Sequence, residues 1–298
     1  MTSKFAMICF SPWRCAALLA IIIVGMSGAF AQTPTEPSPT PQPSPTPTLE
    51  RTFLKNILRD QRAIWTSPLH LEKEDAKWLV PLGLSEAALI ATDRRTAGAL
   101  HNDRLRLNIS RDVAYLGSAG GASSIAGAFY LIGRATHNAR ARETGLLGGE
   151  ALIDGGIVAF VIKHATQRRR PRAQEPGDFF EGGLSFPSGH TTAVWSLATV
   201  VANEYRHNRF VQISAYGLAA AASMARFTGR NHFLSDVVVG SAIGYGIGRY
   251  VYRTHHDPSL SERSTQKTPP KQSKLLPLIA PQYDRRARYY GVTLHWEF

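Results

Sequence analysis

A segment that ends in three arginines carries the first group of residues suited to chemistry. Lys163 and Arg170 are seven residues apart, which is two helical turns, so they share one face of a helix. Pro171 ends that helix and moves Arg170 toward extended geometry. An ammonium beside a planar guanidinium binds oxyanions well. Taken alone, the segment is equally typical of dipole complementation at a helix C-terminus or of a solvated face.

The second group is the tetrapeptide Pro187-Ser188-Gly189-His190, directly before an apolar helical run. A Ser-Gly turn at a helix N-terminus offers a hydroxyl and backbone N–H groups to an anion, and Gly189 lets the backbone approach closely. His190 can donate a proton near neutral pH. The alternative for this tetrapeptide is a helix cap followed by an incidental surface histidine.

The third group begins at Arg226 and contains His232 and Asp236. Four residues are one helical turn, so the Asp236 carboxylate can hold one imidazole nitrogen of His232 and leave the other free to attack. Arg226 adds a further positive charge. For this pair alone, a structural ion pair is the competing interpretation.

Together, these segments resemble the three signature motifs of the type 2 phosphatidic acid phosphatase family. That family includes bacterial class A acid phosphatases and shares its site with vanadium haloperoxidases. Its motifs are Lys, six residues, Arg-Pro; then Pro-Ser-Gly-His; then Ser-Arg, five residues, His, three residues, Asp. The chain matches all three in order and spacing between about Val113 and Tyr252, except that Ala225 replaces the serine of the third motif.

The resemblance implies a role for each matched residue, with no metal and no cofactor. His232 would be the nucleophile, oriented by Asp236, and His190 would protonate the leaving oxygen and then activate water. The phosphoryl oxygens would be held by Lys163, Arg170, Arg226, Ser188 and Gly189. These roles suit phosphoryl transfer, which depends mainly on positioning and charge stabilisation.

Other polar residues near the motifs have weaker claims. His164 and the basic run Arg168–Arg172 either line the site's entrance or face water, and the second alternative is favoured. Asp178 and Glu181 lie in the Gly-rich loop before Ser188, where acidic residues are common for solubility.

The elements that position these residues are predicted to be helices. Long runs rich in Ala, Leu, Val and Gly lack strict alternation, which indicates an all-α bundle of about six main helices. The runs are Lys77–Thr92, Val113–Gly133, Leu146–Lys163, Thr191–Tyr205, Val211–Arg226 and Ser235–Tyr252. Charges interrupt most of them before the roughly 20 apolar residues that a membrane span needs, so a soluble or peripheral domain is favoured over a polytopic one.

The termini are predicted to differ from this bundle. Residues 1–31 read as a secretory signal peptide, with an uncleaved membrane anchor as the alternative, and 32–50 as a Pro-rich disordered linker. Residues 51–256 then form the helical phosphatase domain, with its motif-bearing core at 113–252. Residues 257–298 form a polar tail with a possible terminal strand at Tyr289–Phe298. The two cysteines, Cys9 and Cys15, precede residue 32, which excludes thiol chemistry in an exported chain.

The net charge of +12 suits an anionic partner. We therefore expect an exported, metal-independent phosphatase, periplasmic or at the outer face of the cytoplasmic membrane. Its substrates would be phosphorylated small molecules, phospholipids or prenyl pyrophosphates, with possible association with a membrane surface and no nucleic-acid partner. The alternatives are a vanadate-dependent haloperoxidase and a non-enzymatic basic protein that binds anions or lipids. The sequence does not predict an oligomeric state.

Overall fold

The computed structural model describes residues 49–100, 103–258, 278–284 and 289–295. The predicted signal peptide and the linker up to residue 48 lie outside the described residues. The chain divides into two compact units, residues 1–256 and 257–298.

The first unit is all-α, as predicted, and its described part contains eight α-helices. They are α1 (Leu49–Thr66), α2 (Ala76–Gly98), α3 (Arg104–Leu116), α4 (Ala119–Ala135), α5 (Ala139–Thr166), α6 (Gly189–Glu204), α7 (Arg209–Thr228) and α8 (Leu234–His255). Five of the six predicted runs each fall in one of these helices, and the sixth covers the end of α3 and most of α4. The additional parts are α1 and the first nine residues of α3, whose apolar residues are interspersed with charged ones.

One predicted run is divided in the structure. Val113–Gly133 was expected as a single uncharged helix, but α3 ends at Leu116 and α4 begins at Ala119. The Ser118 hydroxyl accepts a hydrogen bond from Gly121 N at 2.9 Å and so caps α4. A short polar side chain therefore divides a run whose composition indicated one continuous helix.

The closest helix pair is α6 with α8, because three glycines of α8 bring the backbones together. A methyl group built on Gly240, Gly244 or Gly248 would lie 2.7, 2.3 or 2.4 Å from the carbonyl oxygens of Ser188, Thr192 and Ser196, in that order. The matching order shows that α6 and α8 run parallel, so their N-termini lie at the same end of the bundle. Those N-termini carry the second and third motifs.

Helix α5 is the one described helix that is long and apolar enough to cross a membrane by length and composition. Half of the residues in its apolar stretch are buried inside the fold. Core helices of soluble proteins have the same properties, so this observation does not decide between the two settings.

The second unit contains a two-stranded antiparallel sheet. β1 (Leu278–Asp284) pairs with β2 (Tyr289–His295) from Leu278 opposite His295 to Asp284 opposite Tyr289. The possible terminal strand proposed from the sequence falls at β2, while residues 296–298 lie outside the described part.

Candidate active site

His232 and Asp236 lie together at the start of α8. The His232 side chain is 2% exposed, and its Nδ1 is 3.4 Å from Asp236 Oδ2. Burial lowers the pKa of His232 to about 4, although Asp236 acts in the opposite direction. The ring is therefore neutral near pH 7, which leaves a nitrogen lone pair available for attack.

Asp236 is fully buried, and several groups donate hydrogen bonds to its carboxylate. Oδ2 accepts from Phe233 N at 2.9 Å and from the Ser185 hydroxyl, and Oδ1 accepts from Arg168 Nη1 at 2.7 Å. Burial alone would raise the pKa of Asp236, but His232, Arg168 and Ser185 hold it below its ordinary value. The carboxylate is thus ionised and fixed in orientation.

Arg168 is a component of this site that the sequence interpretation missed. It was expected at an entrance or facing water, yet its side chain is 1% exposed. Nη1 donates to Asp236 and to Ser235 Oγ at 2.6 Å, and Nη2 donates to Asp93 Oδ2 at 2.8 Å. Arg168 therefore bridges two buried carboxylates.

Two aromatic rings contact this guanidinium. The Phe179 and Phe233 ring centroids lie 4.8 and 4.4 Å from Cζ of Arg168. Stacking on ring faces suits a planar guanidinium and fixes its plane. Asp93, on α2, also accepts from the Ser235 hydroxyl. The available sequence signal for Asp93 was its position directly after the stretch Ala87–Thr92, which carries no charge.

His190 lies near the same pair, in the first turn of α6. Burial, together with the charges of Arg226, His232, Lys163 and Arg170, lowers its pKa to about 4. The structure therefore brings both motif histidines and the three predicted cations into one electrostatic environment. A bound anion would counteract those cations and raise the His190 pKa.

Lys163, near the end of α5, has its ammonium directed at the loop before α6. Nζ donates to the carbonyl oxygens of Leu184, Ser185 and Pro187 at 2.9, 3.3 and 2.5 Å. Burial lowers the pKa of Lys163 to about 8, while Asp236 opposes that shift. Lys163 is thus in the site, and its three N–H donors are engaged by backbone.

The two predicted arginines differ in exposure. Arg170 is exposed, while Arg226 is partly buried, and its Nε atom has no hydrogen-bond partner among the described residues. Burial, together with the charges of Arg170 and Arg172, lowers the pKa of Arg226 to about 10. This crowding of positive charge favours an anionic ligand.

Ser188 and Gly189 are also at the site, but Ser188 is more enclosed than predicted. It is fully buried, its backbone N–H donates to Asp236 O at 2.9 Å, and its Oγ accepts from Thr191 Oγ1 at 3.0 Å. Gly189 begins α6, and a Cβ there would lie 3.4 Å from Lys163 Cε. Ser188 therefore joins the second motif to the third.

The acidic residues of the loop form ion pairs. Asp178 pairs with Arg94 of α2, and Arg169 pairs with Glu175 at 2.8 Å and Glu181 at 3.1 Å. These contacts join the loop between α5 and α6 to α2 and to the segment directly after α5. Asp178 and Glu181 thus have structural partners.

The arrangement places the positive ends of two helices at one point. His190 lies at the N-terminus of α6, and His232 lies just before the N-terminus of α8. These N-termini meet the C-terminal ends of α5 and α7, which carry Lys163 and Arg226. Helix N-termini favour anions and C-termini favour cations. A nucleophile, a proton donor and cations around an anion site can support phosphoryl transfer.

Two curated proteins are similar in sequence to part of this chain. The lipid A 1-phosphatase of Porphyromonas gingivalis is 32% identical over 105 residues, which cover 35% of this chain and 22% of that protein. The lipid A 4'-phosphatase of the same organism is 32% identical over 74 residues, covering 25% of this chain and 31% of that protein. The chain therefore spans less than a third of the length of each of these relatives.

A solved structure also resembles the chain. It is a transmembrane PAP2-type phosphatidylglycerolphosphate phosphatase from Bacillus subtilis, with 20% identity and a TM-score of 0.45, covering 63% of this chain and 98% of that one. The sequence profile of the PAP2 superfamily matches residues 145–259, which include all three motifs. The resemblance inferred from the motifs is thus confirmed over residues 145–259, which match the PAP2 superfamily profile.

Proposed function

We propose that the chain is a phosphatase that hydrolyses phosphorylated lipids through a covalent phosphohistidine on His232. The observation that supports this most directly is the buried, neutral His232 beside an ionised Asp236, with His190 and three cationic side chains around it. Residues 51–256 would form the catalytic domain.

In the first step, the free ring nitrogen of His232, Nε2, attacks phosphorus while the ester P–O bond breaks. His190, protonated in the substrate complex, donates its proton to the leaving oxygen. Asp236 holds Nδ1–H and stabilises the charge that develops on the ring. Arg170, Arg226, Lys163 and the N–H groups at Gly189 would stabilise the phosphoryl oxygens.

In the second step, the neutral His190 accepts a proton from water as the water oxygen attacks phosphorus. The P–N bond to His232 breaks, inorganic phosphate leaves, and His190 retains the proton that it took from water. His190 is then protonated as it was before the first step, and the site can react with a new substrate. Each proton and bond is accounted for without a metal or a cofactor.

Exposed apolar side chains beside the cations support a lipid as the substrate. Phe160 and Val161 lie one turn or less before Lys163, and Phe180 and Leu184 lie in the loop over the site. A phosphate group at the cations would leave its hydrocarbon part next to these residues. The curated relatives are named as lipid A phosphatases, which agrees with this substrate class.

We further propose that the chain is exported and works at the surface of a membrane. The outward-facing Trp78, Leu79 and Val80 of α2, and Ile153 and Ile157 of α5, supply apolar surface for such a location. Protease accessibility in intact cells and spheroplasts would test the side of the membrane on which the domain lies.

Trapping the intermediate tests the proposed mechanism. The wild-type chain, quenched during turnover of a ³²P-labelled lipid phosphate, should carry acid-labile, base-stable label at His232. His232→Ala should carry no label and release no phosphate, with unchanged helical content by circular dichroism. Label on serine would contradict the mechanism, and tight phosphate binding without turnover would favour the anion-binding alternative. Halide oxidation in the presence of vanadate would favour the haloperoxidase.

A further inference from the structure

A second cluster of ionisable residues lies at the opposite end of the bundle. It joins Glu143 near the start of α5, Glu204 at the end of α6 and His256 directly after α8. Along α6, Glu204 is 14 residues from His190, or about 21 Å. The cluster is therefore separate from the candidate active site.

The geometry of this cluster is that of ligands around a small cation. His256 Nδ1 lies 3.4 Å from Glu143 Oε1 and 3.4 Å from Glu204 Oε1. Two ligands about 2.0 Å from a tetrahedral zinc ion are about 3.3 Å apart. Both separations match that value.

Unsatisfied polar atoms point to the same conclusion. Glu204 is buried, with a side chain 1% exposed, and its Oε1 has no hydrogen-bond partner within the described part of the chain. The same holds for His256 Nδ1, the atom that faces Glu204 Oε1. Buried polar atoms normally have partners, so a shared ligand between these two atoms would account for both.

Charge balance also favours a divalent cation. Glu143 and Glu204 bring two carboxylates into a buried region beside His256. A divalent ion with a neutral imidazole neutralises both carboxylates.

We propose that Glu143, Glu204 and His256 bind a zinc ion that fastens the ends of α5, α6 and α8 together. Two carboxylates and one imidazole provide three ligands, and water completes the tetrahedron. Tyr252 stacks on the His256 ring with centroids 4.5 Å apart and holds its orientation. The site is structural, and it stands independently of the phosphatase proposal.

The neighbouring cluster of Asp60, Glu150 and His255 provides a stringent control. Its ligand atoms are also close enough for a metal. However, His255 Nε2 is already within 2.8 Å of Asp60 Oδ2, and Asn56 donates to Glu150 Oε1 at 2.9 Å. Direct hydrogen bonds therefore occupy that cluster, and His255→Gln is the matched variant for His256→Gln.

Zinc binding to the full chain, purified without a histidine tag and stripped of metal, tests the proposal. Calorimetry should show one Zn²⁺ per chain, and Co²⁺ should give the visible absorption typical of tetrahedral coordination. His256→Gln and Glu204→Gln should each raise the Kd for zinc at least ~10-fold. His255→Gln and the exposed His207→Gln should bind as the wild type does.

Three results would overturn the zinc site. These are no stoichiometric zinc binding by the wild type, unchanged binding by the His256 and Glu204 variants, or loss of binding in His255→Gln with retention in His256→Gln. If a variant does not fold, the cobalt spectrum of the wild-type chain decides, because octahedral or absent absorption contradicts the proposed ligands. Phosphatase activity plays no part in these measurements.

Discussion

Arg168 donates a hydrogen bond to Asp236 at 2.7 Å across 68 positions of sequence, and its other terminal nitrogen donates to Asp93. The residue that orients His232 is thus itself fixed by a buried cation. A lysine cannot reproduce this bridge, because a single ammonium lacks the planar fork that serves two carboxylates.

We predict that Arg168→Gln destabilises the fold by ~3–5 kcal/mol, because it leaves two buried carboxylates without their cation. Urea denaturation followed by circular dichroism measures the change. Arg95→Gln, an exposed arginine near Asp93 on α2, should stay within ~0.5 kcal/mol of the wild type. Equal effects of the two variants would contradict the bridging role.

Arg168→Lys tests whether Arg168 also positions the nucleophile. The variant keeps the charge, so we expect a large loss of kcat with little change in KM, because the lipid's cationic contacts remain. The rate of phosphohistidine formation in a single turnover should fall with kcat. A rise in KM at constant kcat would instead make Arg168 a substrate-binding residue.

The pH dependence of turnover should reflect the lowered pKa values of both histidines. In the free chain His190 must be protonated and His232 neutral, and both pKa values are about 4, so kcat/KM should peak under acidic conditions. The bound phosphate raises the His190 pKa, so kcat should persist to higher pH. Coincident alkaline limbs for kcat and kcat/KM would contradict this coupling.

His190→Ala should discriminate between leaving groups. An alkyl phosphate releases a strongly basic oxygen, whereas p-nitrophenolate needs little protonation. General acid catalysis contributes ~100- to 10,000-fold, and this loss should appear with the alkyl ester and be much smaller with p-nitrophenyl phosphate. Burst kinetics isolate the phosphorylation step. Equal losses would leave His190 as a phosphate ligand only.

Gly244→Ala should separate α6 from α8, because the new methyl group would lie 2.3 Å from the Thr192 carbonyl oxygen. Overpacking of this kind costs ~1–3 kcal/mol, and the displaced α6 should also slow turnover. Gly246→Ala is the control on the same helix, since nothing lies within 4 Å of its added methyl group. It should be neutral or up to ~1 kcal/mol stabilising.

Chelation of metal ions should lower the stability of the fold without stopping catalysis. Exhaustive EDTA treatment should lower the melting temperature if zinc joins Glu143, Glu204 and His256, since a ligand of the folded state stabilises it. Turnover well below that temperature should continue, because the proposed charge clamp consists of cationic side chains. Lost turnover that zinc or magnesium restores at low temperature would contradict the metal-independent mechanism.

The helices and the three motifs could be predicted because their signals are local. Apolar runs identify the core helices, and short spacings such as that from His232 to Asp236 place side chains on one turn. Arg168 has no such signal. Its sequence neighbours include Arg169 and Arg170, and its burial depends on Asp93, 75 residues earlier, and on two rings from separate segments.

The same reasoning explains why the enclosure of Ser188 and the break between α3 and α4 could not be predicted from the sequence. The sequence offers Ser188 as an anion ligand, but its enclosure follows from the close approach of α8, which depends on glycines about 50 residues later. The break after Leu116 depends on whether Ser118 caps a helix or faces along one. Both outcomes are decided by packing rather than by residue type.

The contacts of Lys163 have a consequence for how a substrate enters. An ammonium has three N–H donors, and three carbonyl oxygens of residues 184–187 already accept from them. A phosphoryl oxygen that binds Lys163 must therefore displace one of those carbonyls. The loop and the substrate compete for one cation, so binding is coupled to movement of the segment that leads into Ser188. The segment's rigidity sets part of the affinity, and loosening it would tighten substrate binding at the expense of the resting fold.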